Sequence, residues 1–168
     1  GSGTGLTFNG GRLGTSTAAS KVISALQSSG NSTFEVFVLP ANLTQTGPAR
    51  LVSVGGDNDN QNFMMGQDGA ESQVRLQHTA KDAKSRPRLQ AINGVAVAVQ
   101  HIVHSFDGGV ERFYIDGVEQ PATVVLSGNY SSWDSTDLFN VGNEASSERP
   151  FVGEVYLVAV YDRALTPI

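Results

Sequence analysis

The stretch His101–Glu119, HIVHSFDGGVERFYIDGVE, alternates apolar and polar residues and breaks at Asp107-Gly108-Gly109. It then alternates again and breaks at Asp116-Gly117. A period of two sends successive side chains to opposite faces of a strand, and Asp-Gly or Gly-Gly accepts the positive φ of a tight hairpin turn. With VAVAVQ in front of it, the segment predicts one long strand from Val95, a return strand and a second turn.

The same pattern fills most of the chain. STFEVFVLP puts Phe34, Val36 and Val38 on one face and Glu35, Phe37 and Leu39 on the other, and Pro40 ends it. Aromatics on both faces predict burial on both sides, with Glu35 the residue that needs a polar partner. ARLVSVGG alternates from Leu51 to Val54, and NFMMGQDG with QVRLQHT reads as a hairpin about Asp68-Gly69 with Val74 and Leu76 inward. DLFNVGN is a further short strand, and FVGEVYLVAVYD is long enough for a central one. Helical spacing occurs once: TAASKVISALQSS places Val22, Ile23 and Leu26 together, with Ser16 or Thr17 as cap and Gly30 as stop.

These features predict an all-β, antiparallel two-sheet sandwich or barrel with one short helix near the N-terminus. The 168 residues suffice for one domain, here 4–168, with Gly1-Ser2-Gly3 read as a cloning remnant. Nineteen glycines suit such a turn-rich fold. No apolar run is long enough to span a membrane as a helix. A net charge of −5 and a pI near 5.0 disfavour a nucleic-acid partner. Basic residues are scattered, the densest set being Lys81, Lys84, Arg86 and Arg88, which reads as a solvated loop. The absence of cysteine removes thiolate chemistry and disulfides.

Four segments, in order, carry a family resemblance: TFEVFVLPAN (33–42), HIVHSFDGGVERFYIDGVE, LFNVGNE (138–144) and FVGEVYLVAVYDRALTP (151–167). The chain resembles a laminin G-like domain of the bacterial type, within the concanavalin A-like lectin/glucanase jelly rolls. Phe151 stands where related domains often carry tryptophan, which keeps the aromatic bulk. The resemblance implies a jelly-roll sandwich in a larger exported protein, located outside the cell, at its surface or in the periplasm. Its function would be non-catalytic recognition of carbohydrate or a surface protein, with neighbouring domains as further contacts. A structural or adhesive spacer is the alternative, and a glucanase-like hydrolase a third reading.

Catalysis has little support in the residues. Glycoside hydrolysis generally needs two carboxylates about 5–5.5 Å or about 6.5–9.5 Å apart. The family's retaining glucanases set them on one strand as Glu-x-Asp-x-Glu or Glu-x-Asp-x-x-Glu, a run this chain lacks; Glu35 and Glu154 each stand alone. His101 and His104, three apart on a strand, face opposite sides, and His78 lies near a strand end; all three read as partly buried or surface residues.

Three polar loops remain as candidates. GGDNDNQNF offers Asp57, Asp59, Asn60 and Asn62 as calcium ligands. It is not an EF-hand, because Asn62 replaces the required glycine and no glutamate stands at position twelve. Calcium at a rim loop follows from the resemblance; the competing reading is a turn whose Asx side chains bond their own backbone. SGNYSSWDSTD offers Tyr130 and Trp133 for stacking on a pyranose, with Asn129 and Asp134 to bond hydroxyls. The competing reading folds Trp133 back over the core. In GNEASSERP, either Asn143 and Glu144 join a metal or sugar site, or Glu144, Glu148 and Arg149 pair with one another.

Overall fold

A computed structural model describes residues 4–121 and 124–166. The expected cloning remnant and the last two residues of the predicted domain lie outside them. Two antiparallel sheets stack face to face. The seven-stranded sheet runs β1 (Leu6–Asn9), β13 (Val152–Tyr161), β3 (Ser32–Pro40), β8 (Gln100–Phe106), β9 (Val110–Ile115) and β10 (Val118–Glu119), with β11 (Val124–Val125) also on β9. The six-stranded sheet runs β2 (Leu13–Gly14), β12 (Phe139–Val141), β4 (Ala49–Gly55), β5 (Gln61–Asp68), β6 (Glu71–Leu76) and β7 (Leu89–Ala91). Strands distant in sequence are neighbours, as a jelly roll requires.

The period-two faces meet between the sheets. Phe34, Val36 and Val38 of β3 are fully buried against Phe63, Met65, Val74 and Leu76 of the opposite sheet. The rings of Phe34 and Phe63 stack across the gap, centroids 3.6 Å apart and 9° from parallel. The other face of β3 is only half-buried, so the strand has one core face rather than the expected two. There Glu35 accepts from His101 Nε2 at 2.8 Å and from the Tyr161 hydroxyl at 2.9 Å, which supplies its partner. β13 does lie centrally, between β1 and β3.

Turn chemistry follows the residues. Asp116 and Gly117 have φ of 51° and 78°, a left-handed pair that only such residues adopt readily. The helix α1 spans Ser20–Ser29 and ends at Gly30 in the left-handed conformation. Its N-cap is Ala19, without a side-chain cap, rather than Ser16 or Thr17. Ala19 N–H donates to Asp137 O, so tertiary contact sets the start.

The strand expected from Val95 begins only at Gln100. The Gln100 side chain donates to Gly94 O and accepts from Ala96 N–H, closing a loop on which Val97 and Val99 are exposed.

In β4 a bulge between Arg50 and Val52 lets Leu51 and Val52 both reach the core and throws Arg50 to the outer face. Phe63→Ala is expected to destabilise the domain by about 3–5 kcal/mol, because the stacked ring from the other sheet cannot follow it into the void. Denaturant unfolding of the variant measures this loss.

Candidate functional site

The three polar loops gather at one rim. Asn62 Nδ2 donates to Asp134 O and Asn62 Oδ1 accepts from Asp134 N–H, both at 2.8 Å, tying β5 to the loop after the 3₁₀ turn Tyr130–Ser132. Ser146 N–H donates to Gly56 O, which brings in the third loop.

Their side chains are largely committed to the fold. Asp57 accepts from the backbone N–H groups of Asp59 and Asn60 and from Asn60 Nδ2, a self-bonded Asx turn. Those bonds, the Asn60 side chain first, hold its carboxyl below the usual range. Asp59 pairs with Lys84.

Trp133 is only 4% exposed; it packs on Tyr130 and donates from Nε1 to Gln77 O at 2.6 Å. Tyr130 is fully buried and its hydroxyl meets Ser32 Oγ at 2.7 Å. Neither ring face is presented for stacking on a sugar, because both rings close the end of the core. Asn129 caps the 3₁₀ turn, and Asp134 bonds Thr136. Asn143 Oδ1 accepts from Glu144 and Arg149 N–H, and buried Glu144 pairs with Arg50 at 3.0 Å.

One residue at the rim stands apart. Asp59, Asn60, Asn62, Asp134 and Asp137 line a cleft of about 240 Å³. Asp137 is buried and its Oδ2 has no partner, as is also true of Gln61 Oε1. Burial, and then the charge of Asp134, push the Asp137 carboxyl up to about 6. Among the described residues no three His, Cys, Asp or Glu side chains converge as a metal cage. Three of the expected quartet, Asp59, Asn60 and Asn62, border this cleft, whereas Asp57 is turned onto its own loop, where Asp59 and Asn60 bond it, and Asp137 keeps one oxygen without a partner. In the sequence nothing marks it, because TDLF carries no motif.

A second surface was invisible in the sequence. Register places Asn140, Ser53, Met64 and Arg75 in one row across β12, β4, β5 and β6, on the face of the six-stranded sheet turned away from the core. Arg50, Gly66, Gln73 and Gln90 form the parallel row.

Six of the eight arginines belong to this face or its margin. Arg12 donates to Asn140 and Arg88 to Gln90. Arg86, Arg88 and Arg149 lie close enough to Arg75 to depress its guanidinium, after the larger effect of burial. Arg50 is fully buried; desolvation lowers it to about 10 against the pull of Glu144.

Arg75 has no ion-pair partner among the described residues, while Arg149 Nε and Gln73 Oε1 are buried without partners. The acidic groups nearby are engaged: Glu144 with Arg50, Glu71 with Gln90, and Asp68 with Gln73. A half-buried guanidinium with three arginines and one carboxylate, Asp68, in range carries a local excess of positive charge that suits a planar anion.

The opposite outer face holds a largely apolar cleft of about 320 Å³ over Thr33, Glu35, His101, Val103 and Tyr114. It is larger than the rim cleft but carries no uncompensated charge, since Glu35 is already bonded twice. His101 and His104 do face opposite sides, but His78 and His104 are fully buried rather than partly so.

A laminin G-type family model, described as the concanavalin A-like lectin/glucanases superfamily, matches residues 10–167. The chain belongs to this superfamily. No curated protein sequence matches it. Among solved structures, this concanavalin A-like domain is similar to the Ruminococcus gnavus IT-sialidase CBM40 bound to α2,3-sialyllactose, with 17% identity and a TM-score of 0.71 over 98% of this chain and 92% of that one. It is also similar to the NanB sialidase of Streptococcus pneumoniae, at 13% identity and TM-score 0.72, covering 98% of this chain but 26% of NanB. A Limulus polyphemus SAP-like pentraxin is similar at 16% identity and TM-score 0.58, over 82% and 66% of the two chains. At these identities the likeness establishes the fold.

The raised Asp137 carboxyl has a stability consequence. Its ionised form is penalised in the fold, so its contribution is present below the ordinary carboxylate range near 3.8 and lost as pH rises through about 6. Asp137→Asn is expected to stabilise the domain above that pH, by up to about 3 kcal/mol, and to leave it unchanged near pH 4. Thermal melts across the pH range check this.

Proposed function

We propose that this domain is a non-catalytic carbohydrate-recognition module that takes an acidic sugar on the arginine face of the six-stranded sheet. The observation that carries the reading is Arg75, a half-buried cation without an ion-pair partner among the described residues, flanked by further arginines in a chain whose net charge is −5. A sugar carboxylate would neutralise it through paired N–H···O bonds from the planar guanidinium.

The similar R. gnavus module holds a sialyllactose, a sugar of this chemical class, which supports the choice. Recognition without cleavage fits the face, since its carboxylates are bonded to neighbours instead of standing free as an acid and a nucleophile. The setting we propose is a larger exported protein acting outside the cell or at its surface, with adjoining domains as contacts. None of the described helices is long and apolar enough to cross a membrane.

Calorimetry with 3′-sialyllactose tests the reading. Binding is expected for the sialylated sugar and not for lactose, and it should weaken with salt. Arg75→Met should reduce affinity about ten- to a hundredfold, the worth of a charged hydrogen-bonded contact. Arg112→Met, on the opposite sheet, should leave it unchanged. No binding to any acidic glycan would favour the spacer instead.

A calcium ion in the rim cleft is a secondary proposal, favoured by the open oxygens of Asp137 and Gln61. Adding calcium after a chelator should then raise stability by about 2.7 kcal/mol at a hundredfold excess over Kd. An unchanged melting temperature would dismiss the ion.

A further inference from the structure

Between the sheets lies a buried ionic cluster that neither sugar recognition nor the rim uses. Glu111 of β9 is fully buried. Its Oε1 meets Lys81 Nζ at 2.5 Å and His78 Nε2 at 3.2 Å, and its Oε2 meets His104 Nε2 at 3.3 Å. The hydrogen bonds define the tautomers. His78 Nδ1 accepts from Ala80 N–H, so its proton sits on Nε2 and points at Glu111. His104 likewise donates from Nε2, and its Nδ1 is buried with no partner. With both Nε2–H groups aimed at Glu111 and no acceptor at either Nδ1, the cluster offers no hydrogen-bond partner for a second imidazole proton.

His78 and Lys81 belong to the segment 77–88 that links β6 to β7. This strap is held inward at its start by those two side chains and by Thr79, which exchanges hydrogen bonds with Asn129. Gly128 packs so closely on His78 that a Cβ there would lie 2.4 Å from Nδ1. Farther along, Asp82 receives the N–H groups of Lys84 and Arg86, and Lys84 reaches Asp59 at the rim. The strap ends in Arg86 and Arg88, two cations of the arginine face.

We infer that the Glu111 cluster is an acid-sensitive latch that holds the strap, and with it Arg86 and Arg88, in the recognition geometry. A proton arriving at His78 Nδ1 would confront the Ala80 N–H that now donates to it. One arriving at His104 Nδ1 finds no acceptor. Either adds a second cation beside Lys81 in a site sealed from water. Glu111 cannot absorb the change. Burial raises its pKa, but the bonds from His104 and His78 outweigh this and hold it at about 2.

The charged and titratable groups facing the cluster are Glu111 on β9, His104 on β8, His78, Lys81 and Asp82 on the strap, and the Tyr130 phenol, which is bonded to Ser32. Burial also lowers His104 below the usual imidazole range, so its contribution to stability is complete above that range and is lost as pH falls. The consequence for sugar affinity rests on the function proposed above; the latch itself does not.

Hydrogen exchange on the ligand-free domain, with NMR titration of the histidine rings, tests the latch. Both buried rings should be Nε2–H tautomers at neutral pH. On acidification below the usual imidazole range, amides 79–86 should exchange about tenfold faster after correction for intrinsic rates, while β3, β8 and β13 stay protected. The midpoint should follow protonation of His104, the ring whose titration burial lowers. His104→Asn and His78→Asn, which can still donate to Glu111 but cannot titrate, should blunt the response; the wild-type titration decides if they fail to fold.

Unchanged strap exchange, opening together with the strands, or a midpoint unrelated to the rings would overturn the latch. Weaker 3′-sialyllactose binding at the lower pH would extend it to recognition. Absence of sialyllactose binding at neutral pH would instead count against the arginine-face reading, with the exchange result standing separately.

Discussion

The stacking of Phe34 from one sheet on Phe63 from the other is the contact around which the domain is organised. Each ring is fully buried and lies on a strand whose inward positions are apolar. Burial of these faces is the non-directional part of the stabilisation; the stack adds a preferred geometry. With the two sheets locked in register, every outward position on both strands is assigned as well. The arginine face and the Glu35–His101–Tyr161 group follow from that assignment.

Charge is separated rather than mixed. The chain is acidic overall, yet most of its arginines collect on one face, where the Arg50–Glu144 ion pair is buried. An ion pair so placed contributes little net stability against its desolvation. It does hold the loop carrying Glu144 against β4, which positions Arg149 beside Arg75. The bulge that turns Arg50 outward is thus a local backbone irregularity with consequences across the face.

Aromatic residues at the rim serve the core. Trp133 and Tyr130 close the open end of the sandwich, each with its polar atom bonded to a backbone carbonyl or a hydroxyl. Beneath them, Phe106 stacks on His78, so the strap, the rim and the ionic cluster share one contiguous packing unit. Protonation in the interior and loop order at the surface are therefore linked by contact rather than by distance.

Period-two patterns, Asp-Gly turns, the helix ending at Gly30 and the family resemblance were legible because each is written in residues a few positions apart. Val97 and Val99 show where that reading stops: they alternate like a strand, but the Gln100 side chain bonds the backbone into a loop instead. The arginine face, the unpartnered Asp137 Oδ2, the burial of Trp133 and the Glu111 cluster were decided only by tertiary structure. Their members lie tens of residues apart, and strand pairing across two sheets is what makes them neighbours. Local sequence sets which way a side chain points along its strand, whereas its chemical surroundings depend on which distant strand hydrogen-bonds beside it.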